Sequence, residues 1–221
     1  MNDDDFDYSI FPPPVRTDPC QLYLISPQDV GGTFPDRLKA ALAGGPVAAL
    51  QLRVKDVDSH DLARLAEPLQ RICADADVAF IVNDSVSLAK RLDADGVHLG
   101  QSDGDPREAR AILGPSKQIG VTCHASRHLA MEAGEAGADY VAFGAFYDTT
   151  TKPSDHRPEP AILSWWASLF EIPCVAIGGI TPQNGGPLIS AGADFLAVCN
   201  VVWGKDDPAG EVAKFADLFA T

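Results

Sequence analysis

The stretch FIVNDSVSLAKRLDADGVHLGQSD, residues 80–103, sets a short apolar run, a helical pattern and a second short apolar run end to end. A strand, a helix and a strand in so few residues, repeated along a chain, point to a parallel sheet covered by helices. Each apolar run is followed by a carboxylate, Asp84 after the first and Asp103 after the second. Working outward, the same alternation covers the chain. Strand-like runs fall at 21–26, 47–55, 78–83, 96–100, 118–123, 140–146, 173–179 and 195–202. Helical patterns lie near 34–43, 59–75, 86–92, 106–113, 126–136, 161–170 and 184–191, with a last one at 208–220. Eight strands, each followed by a helix, predict an α/β fold with a single domain, a (β/α)8 TIM barrel over 20–221. A doubly wound open sheet is the alternative. Residues 1–19, acidic and proline-rich, read as a loose, flexible tail.

Composition narrows the function. The 221 residues are 46% apolar, an ordinary globular fraction, and the longest apolar runs fall far short of a membrane span. The first residues lack the basic start and apolar run of a signal peptide. A net charge of −14 argues against a nucleic-acid partner or an anionic membrane surface. It leaves room for a phosphate ligand, which local cations, backbone N–H groups and a metal can hold inside a negative protein. The five cysteines (Cys20, Cys73, Cys123, Cys174, Cys199) form no C-x-x-C pair, and several sit in apolar runs. They read as buried thiols of a cytoplasmic protein rather than as disulfides or zinc ligands. The oligomeric state stays open, a homo-oligomer included.

In a barrel of this kind the chemistry gathers at the C-terminal ends of the strands. After the second strand, Gln51, Arg53 and Lys55 share one face by period-two alternation, and Leu50, Leu52 and Val54 share the other. The polar set then faces the barrel interior and mouth, where two cations need an anion or a structural ion pair. Asn83 and Asp84 end the third strand, and Asp103 follows the fourth. Asp84 could cap the next helix, but Ser85 is an equally good cap. Asp105-Pro106-Arg107-Glu108 carries its own N-cap acid, so Asp103 is not needed for that role. Two carboxylates on neighbouring strands, completed by water and phosphate, suit Mg²⁺. Thr122 and His124 share a face at the end of the fifth strand, where a histidine could exchange a proton or simply be hydrogen-bonded. Thr149, Thr150, Thr151 and Lys152 follow the sixth strand and could wrap phosphate oxygens or form a solvated loop. Gly178 and Gly179 follow the seventh, and Cys199 and Asn200 the eighth, in the loops that recurrently hold phosphate in this fold.

Together the segments QLRVK (51–55), VND (82–84), DGVHLGQSD (95–103), IGVTCH (119–124), GADYVAFGAFYDTTTK (137–152), AIGGITPQN (176–184) and AGADFLAV (191–198) resemble thiamine phosphate synthase and its relative, the thiazole tautomerase. The resemblance runs from about Leu22 to Trp203. It implies a transferase of thiamine biosynthesis that joins hydroxymethylpyrimidine pyrophosphate to thiazole phosphate and releases pyrophosphate. It implies that Gln51, Arg53, Lys55 and Asn83 meet the pyrimidine pyrophosphate, and that Asp84 and Asp103 hold Mg²⁺. Thr122 would stand near the reacting carbon, where serine is usual. Thr149, Thr151 and Lys152 would contact phosphates, with Gly179, Cys199 and Asn200 around the thiazole phosphate. Arg53, Lys55, Thr122 and Lys152 would be the catalytic set, with His124 among the substrate-binding residues. Val54, Ser85, Ala145 and Asn200 stand where the family pattern has glutamate, arginine, proline and serine. A tautomerase relying on His124, or a non-catalytic binder of thiamine phosphates, are the other functions such a barrel could serve.

Overall fold

The computed structural model of the chain describes residues 7–12, 14, 18–149 and 157–220. Eight parallel strands close into a barrel in sequence order. They are β1 (Gln21–Ile25), β2 (Ala49–Leu52), β3 (Ala79–Asn83), β4 (Gly96–Leu99), β5 (Gln118–His124), β6 (Tyr140–Gly144), β7 (Cys174–Ile177) and β8 (Phe195–Val198). The helices between and after them are α1 (Phe34–Ala43), α2 (Ser59–Asp75), α3 (Val86–Leu92), α4 (Pro106–Leu113), α5 (Arg127–Glu135), α6 (Ala161–Leu169), α7 (Gly186–Ser190), α8 (Asn200–Trp203) and α9 (Pro208–Phe219). The ring closes where β8 pairs with β1, Leu22 opposite Leu196.

Strand alternation divides the apolar residues into two cores. Leu22, Leu24, Leu50, Leu52, Phe80, Val82, Val97 and Leu99 face the helices and join one large buried cluster. Tyr23, Ile25, Ala49, Ile81, Tyr140, Ala142, Val175 and Ala197 point inward and form a second, smaller cluster inside the barrel. The barrel is therefore filled, and ligand chemistry is confined to its mouth.

The entry end of the barrel carries a repeat in sequence and structure. Ala94-Asp95, Ala138-Asp139 and Ala193-Asp194 each precede an even-numbered strand. In each case the aspartate carboxylate accepts a backbone N–H from the start of the strand before it: Phe80 at 2.7 Å, Ile119 at 2.6 Å and Cys174 at 2.7 Å. The aspartate N–H returns the bond to the same residues' carbonyls, at 3.0, 2.8 and 2.9 Å. Three adjacent strand pairs are thus fastened at their bases by satisfied carboxylates.

Helix starts follow the expected caps. Ser85 Oγ accepts from Leu88 N–H at 3.2 Å, and Asp105 Oδ1 accepts from Arg107 N–H at 2.7 Å. Most strands end earlier than expected, β2 and β8 by the most. β2 stops at Leu52 and β8 at Val198, and residues 200–202, expected as strand, belong to the short helix α8. The Trp203 indole N–H donates to Ile25 O at 2.6 Å, and Arg37 donates to Trp203 O at 2.7 Å, which ties the loop after β8 to β1 and α1. Within the segment expected to be a loose tail, Tyr8–Ile10 form a 3-10 turn, and the Arg127 guanidinium lies 5.9 Å from the Tyr8 ring and 5.6 Å from the Trp165 ring of α6. That part of the segment is docked on the barrel.

Candidate active site

The two aspartates reach one place on the rim by different local devices. Asp84 follows β3 in the left-handed region, φ 64°, with its N–H donating to His98 O at 2.8 Å. Left-handed backbone at a non-glycine residue is uncommon and clusters at functional sites. Asp103 closes the turn after β4: its N–H donates to Gly100 O at 3.2 Å, and its Oδ2 accepts from Gly100 N–H at 3.0 Å. The carboxyls meet. Burial pushes the Asp84 carboxyl above the usual carboxylate range, and a hydrogen bond and the charge of Asp103 push it further. Lys55 and Arg53 oppose the shift, with Lys55 Nζ 3.7 Å from Asp84 Oδ2.

This arrangement brings Asp84, Asp103, Lys55 and Arg53 to one rim. Gln28 holds the approach of Lys55: its amide accepts from Lys55 N–H at 3.1 Å and donates to Lys55 O at 2.5 Å. Arg53 N–H donates to Ser26 Oγ at 2.9 Å. Among the described residues, no cluster of three or more His, Cys, Asp or Glu is placed to hold a metal ion. A pair of hard oxygen donors with a disfavoured shared charge does fit Mg²⁺, which keeps water and takes phosphate oxygens for its remaining positions. A cation between the two acids would offset the Asp103 charge, which adds to burial in lifting Asp84.

Gln51 lies deeper than Arg53 and Lys55, the other polar residues of its face. Its side chain is only 3% exposed, and its amide donates to the Tyr23 hydroxyl at 3.1 Å. From there a chain of bonds crosses the interior: Tyr23 to Tyr140 at 2.9 Å, Tyr140 to His98 Nδ1 at 3.1 Å, and His98 Nε2 to Thr122 Oγ1 at 2.8 Å. Burial holds both phenols protonated, pushing Tyr23 up to about 12 and Tyr140 well above its ordinary value. Tyr23, His98 and Tyr140 were not anticipated as site residues. Alternation puts each inside the barrel, and Gly120 gives a further signal: a β-carbon there would lie 1.9 Å from the Tyr140 ring. His124 differs from expectation. The β5–β6 register shifts between Thr122 and His124, and His124 takes φ 54°, so the alternation placing it on the face of Thr122 is interrupted. The histidine bonded to Thr122 is His98.

The remaining expected residues gather around the loops after β6, β7 and β8. Thr149 ends the described part of the first loop; Thr150, Thr151 and Lys152 lie outside the described residues. Asp148 and Arg157 form an ion pair across the neck of that loop. Gly178 and Gly179 have φ 102° and 64°, and β-carbons there would lie 2.3 Å from Ala145 Cβ and 2.3 Å from Asp148 O. The observed reason for glycine is the close passage of the loop after β6. Asn184 fixes the next turn, accepting from Thr181 N–H at 2.7 Å and donating to Gly179 O at 3.0 Å. Asn83 is half-buried beside Asp84, Cys199 is half-buried after β8, and Asn200 is exposed at the start of α8.

A family profile described as thiamine monophosphate synthase matches residues 22–202, which include every rim residue named above. The chain belongs to the thiamine monophosphate synthase family. Among similar members, a thiamine-phosphate synthase of Erythrobacter litoralis is 66% identical over 206 residues, covering 91% of this chain and 96% of that one. One from Rhodospirillum centenum is 52% identical over 200 residues, covering 90% and 96%. A solved thiamine phosphate pyrophosphorylase from Pyrococcus furiosus superposes with a TM-score of 0.81 at 30% identity, covering 90% of this chain and 95% of that one. Membership in the thiamine monophosphate synthase family, together with the closed barrel, agrees with the resemblance drawn from the sequence.

Proposed function

We propose that the chain joins hydroxymethylpyrimidine pyrophosphate to thiazole phosphate, forming thiamine phosphate and releasing pyrophosphate. The observation that carries this reading is the acid pair Asp84–Asp103 beside Lys55 and Arg53 on one barrel rim, in a chain of this family. The bond between the pyrimidine's methylene carbon and the pyrophosphate oxygen breaks, its electron pair leaving with pyrophosphate. The lone pair of the thiazole nitrogen forms the new carbon–nitrogen bond. The electron-rich aminopyrimidine stabilises the cationic methylene between those events, so no protein nucleophile is needed.

The protein's part is to gather cations and donors where negative charge grows. Arg53 and Lys55 meet the departing pyrophosphate, with Asn83 beside them and Thr122 at the reacting carbon. Asp84 and Asp103 would hold Mg²⁺, which supplies a Lewis acid that neutralises the leaving group. Thr149, Thr151 and Lys152 add phosphate contacts from the loop after β6. Gly179, Cys199 and Asn200 lie in the loops after β7 and β8, where this fold recurrently binds phosphate, and would surround the thiazole phosphate. The buried and half-buried thiols suit a reducing compartment such as the cytoplasm.

The test is direct. Purified protein, both phosphorylated substrates and Mg²⁺ should yield thiamine phosphate and pyrophosphate in equal amounts, and chelation should stop the reaction. Absence of product at high protein concentration sinks the transferase reading. Full turnover in chelator sinks the metal.

A further inference from the structure

The interior chain Gln51–Tyr23–Tyr140–His98–Thr122 has a direction. A primary amide nitrogen donates and cannot accept, so Tyr23, which receives the Gln51 N–H, must send its own proton elsewhere. Its other partner is the Tyr140 hydroxyl, 2.9 Å away. Tyr140 therefore accepts there and sends its proton to His98 Nδ1 at 3.1 Å. An Nδ1 that accepts makes His98 the neutral imidazole with its proton on Nε2. Nε2–H then donates to Thr122 Oγ1 at 2.8 Å. One lone pair of Thr122 Oγ1 is engaged from within, and its proton is not spent on the interior chain.

We propose that this chain is a positioning device: it fixes the tautomer of His98 and keeps the Thr122 proton free to be donated to the substrate in the barrel mouth. The recipient is an anionic oxygen, that of the pyrophosphate departing from the carbon beside Thr122. In that respect the inference rests on the transferase reading. Reversing the chain would require the Gln51 carbonyl to face Tyr23, and Thr122 would then spend its proton on His98. Burial keeps the alternatives few: Gln51, Tyr23, His98 and Tyr140 are each less than 8% exposed. An imidazolium at His98 would give Tyr140 two incoming donors and leave its own proton without an acceptor in the chain. Tyr23, Tyr140 and His98 act through Thr122, and the Gln51 amide nitrogen sets the direction at the start of the chain.

Two measurements test this. In protein carrying ¹⁵N-labelled histidine, long-range ¹H–¹⁵N correlation should find His98 with a protonated Nε2 and an unprotonated Nδ1. The signal is assigned by its shift in Tyr140→Phe and, independently, in Thr122→Val. An Nδ1–H tautomer overturns the proposal. In steady-state assays, Tyr140→Phe should lower kcat about tenfold, the weight of one hydrogen bond, with KM for the pyrimidine pyrophosphate nearly unchanged. In a Thr122→Val background the same substitution should change kcat less than about twofold, because its target is gone. Additive losses overturn the positioning role and leave Tyr140 as packing. The tautomer is read on the protein without substrate, so a protein that makes no thiamine phosphate would count against the function while the direction of the chain is still decided.

Discussion

The carboxylate of Asp103 occupies the space where residue 100 would carry a β-carbon: Oδ2 lies 3.0 Å from Gly100 N and would lie 2.5 Å from a Cβ at that position. The absent side chain of one residue thus seats the acid of another. Gly100→Ala meets only the end of a flexible side chain, so the variant should fold with nearly the parent melting temperature. It should displace the carboxylate and weaken Mg²⁺-dependent activity by about ten- to a hundredfold, as when a metal ligand loses its support. A Mg²⁺ titration of activity checks this; an unchanged curve would remove Asp103 from the metal.

Burial and the neighbouring Asp103 disfavour the charged form of Asp84. Asp84→Asn should therefore raise the melting temperature of the metal-depleted protein by a few degrees while stopping turnover. The parent should gain stability from Mg²⁺, about 2.7 kcal/mol at a hundredfold excess over Kd, and the variant should gain almost none. Thermal melts with and without Mg²⁺ read both effects. A variant that still responds fully to Mg²⁺ places the ion elsewhere.

Four buried groups make the fold sensitive to alkali. Burial raises Cys73 and Cys123 from 9.0 to about 12, Tyr23 from 10.0 to about 12, and Tyr140 well above 10.0. In each case the folded chain keeps a proton that the unfolded chain has already lost. Stability is therefore intact below pH 9 and falls from there towards pH 12, on the order of 1 kcal/mol per pH unit for each group in its window. Denaturant midpoints across that range check the sign. Tyr23→Phe should flatten the part of the slope that begins near pH 10.

Gly179 and Gly104 separate strain from collision. Both have positive φ, 64° and 120°, but a β-carbon at 179 would strike Asp148 O at 2.3 Å whereas one at 104 meets nothing within 4 Å. Gly104→Ala should cost about 1 kcal/mol of backbone strain and keep activity. Gly179→Ala should cost clearly more and reduce activity, because the loop after β6 must move. Equal losses for the two would contradict this account.

Strand positions were legible because each strand is a compact apolar run bounded by turn residues. Strand ends were less so. Arg53 and Lys55 continue the alternation of β2 beyond its last ladder residue, which made the strand look longer than Ala49–Leu52. The segment 195–202 reads as one strand because short apolar runs do not separate strand from helix, and its last residues enter α8, whose Trp203 indole bonds Ile25 O. The rim acids were legible through elimination, since Ser85 and Asp105 take the caps. The interior chain was not. Tyr23, His98 and Tyr140 come from three strands and share no local pattern, so only ring closure relates them. His124 drew attention because it ends a strand on the face of Thr122 by alternation, and a register shift with a left-handed φ interrupts that alternation.

The aspartates at the entry end bear on how the barrel is assembled. Each joins residues only 15, 20 or 20 positions apart, while ring closure joins Gln21 to Phe195. Contacts so local form early, and distant ones wait for the chain to be ordered. The units β3–β4, β5–β6 and β7–β8 can each form on their own before the chain's two ends meet. Pulse-labelled hydrogen exchange should find the amides of Phe80, Ile119 and Cys174 protected before that of Gln21, whose bond to Asp194 O spans the seam.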